Sequence, residues 1–158
     1  MNKRWISLYV ENEPGVLARI SGLLSAKSYN VDSLTVGETE DPTISRMTIS
    51  LTSDDKTFEQ VKKQLNRCVE VIKVSDFTEQ KICCKELLFI KIFDNIESVL
   101  KIFNKYNIEI IRYHKYLLIQ SLNQMDVNDQ IIKDIKNITL NIEVVRGGSV
   151  AISLWGIY

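Results

Sequence analysis

Arg4-Trp5-Ile6-Ser7-Leu8-Tyr9-Val10-Glu11-Asn12-Glu13-Pro14-Gly15-Val16-Leu17 decides the fold, because its hydrophobic period changes in the middle. Up to Val10 the apolar residues Trp5, Ile6, Leu8 and Val10 follow a mostly alternating face, which is the period of a strand. Glu11 to Gly15 then breaks the run and carries helix-start chemistry. Val16, Leu17, Ile20, Leu23 and Leu24 recur at helical spacing, so an amphipathic helix is predicted from Val16 to about Lys27. Gly22 lies within its body, where glycine costs about 1 kcal/mol against alanine, and points to close packing there.

Working outward, a second strand is predicted over Ser33 to Glu38 and, after the turn Thr39-Glu40-Asp41-Pro42, a third over Arg46 to Leu51. Met47, Ile49 and Leu51 alternate with Thr48 and Ser50, the mark of a sheet with one buried face. Ser53-Asp54-Asp55 supplies capping residues for a helix from about Thr57 to Asn66, with Phe58, Val61 and Leu65 turned inward. Val69, Val71, Ile72 and Val74 make a fourth strand, and the order is βαββαβ.

Thr78-Glu79-Gln80-Lys81 reads as a linker, after which the pattern repeats without obvious sequence identity. Glu86 to Phe93 is apolar almost throughout, and Ile96, Val99, Leu100, Phe103 and Tyr106 form a helical stripe. Ile108 to Tyr113 and Tyr116 to Leu122 suggest a strand pair around His114-Lys115. Ile131, Ile132 and Ile135 suggest a helix, and Ile142, Val144 and Val145 a last strand. The expected class is α+β: two tandem ferredoxin-like βαββαβ domains with antiparallel sheets, at 1–78 and 83–158. Domains this small have thin cores, so a dimer or larger assembly is expected. The ending Ala151-Ile152-Ser153-Leu154-Trp155-Gly156-Ile157-Tyr158 is apolar and fits either a packed strand or a docking patch.

Twenty basic and 20 acidic residues cancel, which argues against a nucleic-acid partner. No apolar run approaches the ~18 residues of a membrane span, and no signal core follows Lys3-Arg4. Cysteines at 68, 83 and 84 are odd in number, unlike a secreted disulfide framework, and lack zinc-site spacing, so a reducing cytoplasmic setting and no metal are expected. Catalysis has no visible address. His114 is the only histidine and reads as a surface residue in a hairpin turn, and no nucleophile elbow or nucleotide-binding glycine loop occurs.

The loop Asn12-Glu13-Pro14-Gly15-Val16-Leu17 carries more chemistry. It joins a strand to a helix, so unpaired helix N–H groups and partial positive charge face it, an arrangement suited to a carboxylate. Gly15 lets a ligand approach the backbone, and the amides of Asn12 and Asn30 both donate and accept, matching a zwitterion. Val16, Leu17 and Val31 are candidates to line a slot for a branched side chain. The plain alternative is a capped helix in which Pro14 pre-sets the first turn.

Asn12-Glu13-Pro14-Gly15-Val16-Leu17 resembles the N-E-x-G-x-L signature that opens ACT domains. Tyr29-Asn30-Val31-Asp32-Ser33-Leu34-Thr35-Val36 resembles the Y-N-I-x-S-L-T-V segment of acetohydroxyacid synthase small subunits, and Asp41-Pro42-Thr43-Ile44-Ser45-Arg46-Met47-Thr48 their D-P-x-x-S-R-M-T block. These blocks cover residues 1 to about 76. In the second half, Lys85-Glu86-Leu87-Leu88-Phe89-Ile90-Lys91-Ile92 is similar to the family's R-E-L-x-L-V-K-V strand, and Val144-Val145-Arg146-Gly147-Gly148 to its V-x-R-[ST]-G ending, with divergence between. The resemblance implies a non-catalytic regulatory subunit of acetohydroxyacid (acetolactate) synthase in branched-chain amino-acid biosynthesis. It implies an ACT homodimer that binds valine at its interface, through Asn12, Pro14, Gly15, Val16 and Leu17 of one chain and Asn30 and Val31 of the other. It also implies activation and valine feedback inhibition of a large catalytic subunit. Thiamine diphosphate, FAD and magnesium belong to that partner, and no cofactor to this chain.

Other readings remain. A stand-alone tandem amino-acid sensor acting on another partner, such as a transcriptional regulator, would use the same loop. An RNA-recognition module shares the βαββαβ order but places aromatics on its third strand, where this chain has Arg46-Met47-Thr48-Ile49-Ser50-Leu51. An acylphosphatase-like enzyme needs an arginine where this loop carries Glu11 and Glu13.

Overall fold

The computed structural model describes residues 1–26 and 29–154. The predicted end of the first helix near Lys27 and the tail residues Trp155 to Tyr158 therefore lie outside the described residues. The elements follow in order β1 (Asn2–Glu11), α1 (Val16–Ala26), β2 (Ser33–Glu38), β3 (Ile44–Ser53), α2 (Asp55–Leu65) and β4 (Val71–Asp76), then β5 (Ile82–Ile92), α3 (Ile96–Ile102), a 3-10 turn (Phe103–Lys105), β6 (Ile108–Arg112), β7 (Leu117–Asn123), α4 (Met125–Lys136) and β8 (Ile142–Ser153). Two four-stranded sheets result, ordered β2-β3-β1-β4 and β6-β7-β5-β8. Contacts group Met1–Cys83 with the chain from Ser149 onward, and Cys84–Gly148 as the second unit.

In the first unit β1 lies between β3 and β4, antiparallel to both, and β2 pairs antiparallel with the far side of β3. Alternation puts Ile6, Leu8 and Val10 of β1 and Met47, Ile49 and Leu51 of β3 on one face. There they form a core with Val16, Ile20 and Leu24 of α1 and Phe58, Val61 and Leu65 of α2. The capping expected of Ser53-Asp54-Asp55 falls to Asp54, whose carboxylate accepts from Thr57 N (2.8 Å) and Thr57 Oγ1 (2.9 Å). Those two bonds hold the Asp54 carboxyl below the usual carboxylate range.

Two features differ from the sequence reading. Gly22 is exposed and a Cβ built on it would meet nothing within 4 Å, so within one chain no close packing requires it. The β-sheet face away from the helices was expected to be solvated, yet Ser7, Thr48 and Ser50 on it are buried. Ser33 Oγ and Ser50 Oγ share a hydrogen bond of 2.7 Å across that face. It is covered by the end of β8: Thr35 Oγ1 donates to Ser149 O (2.9 Å) and Arg46 Nη2 to Ala151 O (3.2 Å). The start of the apolar tail is thus a packed strand through Ser153.

In the second unit Leu88, Ile90 and Ile92 of β5 pack with Leu117 and Ile119 of β7, Val99 and Phe103, and Ile131 and Ile135 of α4. One end of this core holds a polar network. Glu86, 1% exposed, accepts from Arg146 Nε (2.9 Å) and Nη2 (2.7 Å), and from Asn128 Nδ2 (3.0 Å). Asn128, also buried, donates from Nδ2 to Glu86 O (3.1 Å) and accepts at Oδ1 from Ser121 Oγ (2.7 Å). Arg146 Nη1 reaches Asp129 at 2.7 Å. The R-E-L and V-x-R-G stretches are therefore two halves of one ion pair.

Candidate functional site

The first loop leaves β1 where that strand's pairing with β4 shifts register between Tyr9 and Val10. Gly15 has φ +91°, a left-handed conformation that suits glycine, and an added Cβ would face open space. The residue type is thus set by backbone geometry rather than crowding. Val16 N donates to Glu13 O (3.3 Å) and Arg19 N to Gly15 O (2.9 Å), while among the described residues no acceptor meets the amides of Leu17 and Ala18. Arg19 itself is engaged in an ion pair with Glu70. The loop presents bare donors at a helix start, and Asn12 through Gly15 are exposed.

The side chains of the expected site divide into groups. Val16 is buried in the core, so only its backbone faces the loop, and Leu17, 43% exposed, is the loop's apolar side chain on the surface. Asn12 is already engaged: its Nδ2 donates to Pro42 O (2.8 Å) and Glu38 Oε1 (3.3 Å), its Oδ1 accepts from Ser45 Oγ (3.0 Å), and its N donates to Thr43 O (2.8 Å). It clamps the β2–β3 turn against the first loop. That turn is held from within, since Asp41 Oδ1 accepts from Thr43 N (2.9 Å) and Thr43 Oγ1 (2.7 Å), bonds that keep the Asp41 carboxyl below its ordinary range. Glu38, Pro42 and Ser45 were not singled out from the sequence as supports of the loop. The D-P-x-x-S-R-M-T block contains two of them and was the available signal.

Asn30 and Val31 lie elsewhere. Tyr29 N donates to Leu24 O (3.1 Å) and Asp32 N to Ser50 O (2.9 Å), so the segment enters β2 at its Ser33 end. Asn30 is exposed and Val31 half-buried against the core. Asn12 meets β2 at the opposite end, at Glu38. Five residue steps at roughly 3.3 Å each separate the two ends, about 17 Å. A single chain brings Asn12, Pro14, Gly15 and Leu17 together and leaves Asn30 and Val31 apart from them.

The groups a catalytic reading would need stay dispersed. His114 is exposed in the β6–β7 turn, closed by Tyr113 N to Tyr116 O (3.0 Å) and by the stacked rings of Tyr113 and Tyr116, 4.7 Å apart. Among the described residues no three His, Cys, Asp or Glu side chains converge as metal ligands, and no helix is long and apolar enough to cross a membrane.

Residues 6–73 match the family model described as "AHAS small subunit-like ACT domain", and residues 85–154 the model "Small subunit of acetolactate synthase". The acetolactate synthase small subunit of Haemophilus influenzae is 36% identical over 157 residues, spanning 96% of this chain and 95% of the relative. The chain belongs to the acetolactate synthase small-subunit family. The isozyme 3 small subunit of Escherichia coli is 34% identical over 157 residues, again covering 96% of this chain and 95% of its own length. Among solved structures the acetolactate synthase small subunit of Thermotoga maritima superposes with a TM-score of 0.82 at 29% identity, covering 99% of this chain and all of that one. Small-subunit membership thus extends over both halves, including the stretch between Ile92 and Ile142 where recognisable motifs were lacking.

Proposed function

We propose that this small subunit is a non-catalytic, cytoplasmic regulator. It binds valine at an interface between two copies, activates the large catalytic subunit of acetolactate synthase and confers feedback inhibition on it. Thiamine diphosphate, FAD and magnesium belong to that large subunit. The observation that carries the proposal is the position of the two half-sites at opposite ends of β2, a strand on the sheet's edge. Antiparallel pairing of β2 with β2 of a second copy reverses one chain relative to the other. The Asn30–Val31 end of each copy then meets the Asn12–Leu17 end of its partner. The valine carboxylate faces the Leu17 and Ala18 amides, its side chain lies against Leu17 and Val31, and Asn30 supplies an amide to its polar groups. Asn12 holds the loop in shape through Pro42 and Ser45.

Calorimetric titration of the chain with valine, leucine and isoleucine, with and without the large subunit, tests this reading. Effector coupling is typically about 1–3 kcal/mol and reciprocal, so a saturating large subunit weakens valine binding by the factor with which valine weakens binding of the large subunit. Absence of binding by all three amino acids overturns the effector assignment. An affinity untouched by the large subunit overturns the coupling.

A further inference from the structure

The face of the first sheet away from the helices carries a row of positive charge. Tyr9 of β1 stands opposite Arg46 of β3 on one side and Lys73 of β4 on the other, which puts all three on that face. One row further on, Ser7 stands opposite Ser75. Tyr9, Arg46, Lys73 and Ser75 border a groove of about 790 Å³, within the roughly 300–1,000 Å³ of small-molecule sites. Phe77, 5% exposed, and Ile152, 53% exposed, form its apolar wall. Arg46 is half-buried and meets only neutral groups among the described residues. Its Nε donates to Ser7 Oγ (2.9 Å), its Nη2 to Ala151 O (3.2 Å), and its guanidinium lies over the Tyr9 ring at 5.3 Å. Its Nη1, the Lys73 ammonium and the Ser75 hydroxyl have no partner among the described residues. A partly desolvated cation without a counter-charge is costly, and an anion in the groove offsets that cost. Of the nearby carboxylates, Asp76 is bonded to Lys62 (2.6 Å), Glu38 to Asn12 (3.3 Å) and Glu70 to Arg19. Glu11, exposed two residues beyond Tyr9, opposes the row with one charge against two.

We propose that this groove is a second ligand site, which takes a compact dianion, a phosphate or a dicarboxylate, seated over Tyr9. Arg46 Nη1 and Lys73 Nζ supply the two charges that neutralise it and Ser75 Oγ a third donor, bonds to ionised groups being the strong ones. Arg46 is already fixed by Ser7, Ala151 and the Tyr9 ring, so it loses little freedom on binding. An apolar part of the ligand lies along Phe77 and Ile152, which favours an organic anion over a bare inorganic one. The site is independent of the effector reading, because α1, whose first turn carries the Leu17 and Ala18 amides, packs on the opposite face of the sheet.

Calorimetric titration of the whole chain with phenyl phosphate and with succinate tests the site and separates the two kinds of dianion. It is run at low salt, since exposed charges are screened, and at about pH 8, above the second phosphate ionisation at about 6. At least one probe binds with a Kd of about 1 mM or tighter. Lys73→Glu reverses one charge at an exposed position on the edge strand β4 and weakens that binding at least about tenfold. Lys73→Arg keeps the charge and binds within about threefold of the parent. Gly15→Asp, which alters the first loop, leaves the affinity within about twofold. Binding of neither probe at about 10 mM overturns the proposal. Undiminished binding by Lys73→Glu overturns it too, because the anion then sits elsewhere. Binding abolished in Gly15→Asp, or displaced by valine, also overturns it and assigns the anion to the bare amides of α1.

Discussion

Removing the guanidinium of Arg146 isolates a carboxylate that the fold has taken out of water. Glu86 is 1% exposed and accepts three hydrogen bonds at its side chain, two of them from Arg146 and one from Asn128. Arg146→Met keeps most of the aliphatic stem and leaves the carboxylate with Asn128 alone. Breaking a buried pair from one side costs about 3–5 kcal/mol. The Arg146 side chain is 34% exposed, so water partly refills the gap and the lower figure of about 3 kcal/mol applies. In a domain of this size each kcal/mol moves the midpoint by about 4–8 °C, so unfolding of the second unit falls by about 12–24 °C. Amide exchange at Leu88–Ile92 and Leu117–Ile119 reports that unit directly, with scanning calorimetry alongside. The double variant Glu86→Leu/Arg146→Met removes the charge as well, and Asn128 keeps the backbone oxygen at position 86 and the Ser121 hydroxyl. It recovers most of the loss, because replacing both partners by apolar groups is nearly neutral. A midpoint shift under about 4 °C for Arg146→Met, or a double variant no more stable than the single one, refutes the reasoning.

Gly15→Asp sets a carboxylate against that of the ligand, about 4 kcal/mol at 4 Å with an effective dielectric near 20. Gly15→Asn has nearly the same shape and left-handed tolerance as Asp without the charge, so valine titration of both isolates the electrostatic effect, and full valine inhibition in the Asp variant removes Gly15 from the site. Gly22→Ala stabilises the chain by about 0.5–1 kcal/mol, since the helix gains a better former and the methyl meets open space; a lower melting temperature would show that a second copy occupies that space. Asp134, bonded to Lys105 Nζ (2.5 Å), Tyr106 Oη (2.7 Å) and Gln130 Nε2 (2.6 Å), has its carboxyl lowered to about 2 from 3.8, chiefly by Lys105. A lowered carboxylate contributes stability above its unfolded value and loses it as pH falls through the folded one. Asp134→Asn therefore flattens the acid side of the stability curve between about pH 4 and 2, as urea unfolding across that range will show.

How much of this was legible in the sequence depended on how local the chemistry is. β2 was read to its observed bounds because polar turns enclose it, and α1 starts at Val16 because Gly15, at φ +91°, is not helical. α4 was seen only at Ile131, Ile132 and Ile135, although it begins at Met125, because its first turns are polar and bury Asn128 against Glu86 rather than an apolar stripe. Hydrophobic periodicity has no means of registering a buried amide. β3 was read as a strand with one solvated face, because nothing in Thr48 and Ser50 announces a strand arriving from about a hundred residues onward, as Thr35 and Ser149 do at a separation of 114. In the site, the break between β1 and α1 at Asn12–Gly15 was legible, whereas the left-handed turn at Gly15 was not read, a glycine there serving equally as an approach for a ligand. The clamp on Asn12 was not, since Pro42 and Ser45 stand 30 and 33 residues away.

One six-residue edge strand, β2, bears on three events in this account: pairing with a second copy, closure of the effector site at both its ends, and retention of Ser149. The contacts it makes differ in kind. Its outer side is the margin of the sheet, whereas Ser33 and Thr35 hold Ser149 on its face. Each ordinary hydrogen bond contributes about 0.5–1.5 kcal/mol net, so the bonds from Ser33 and Thr35 supplement the ladder between β5 and β8 and do not replace it. Pairing with a second copy would therefore add to a strand whose inner side and face are already fixed, and only its margin has to be ordered on association.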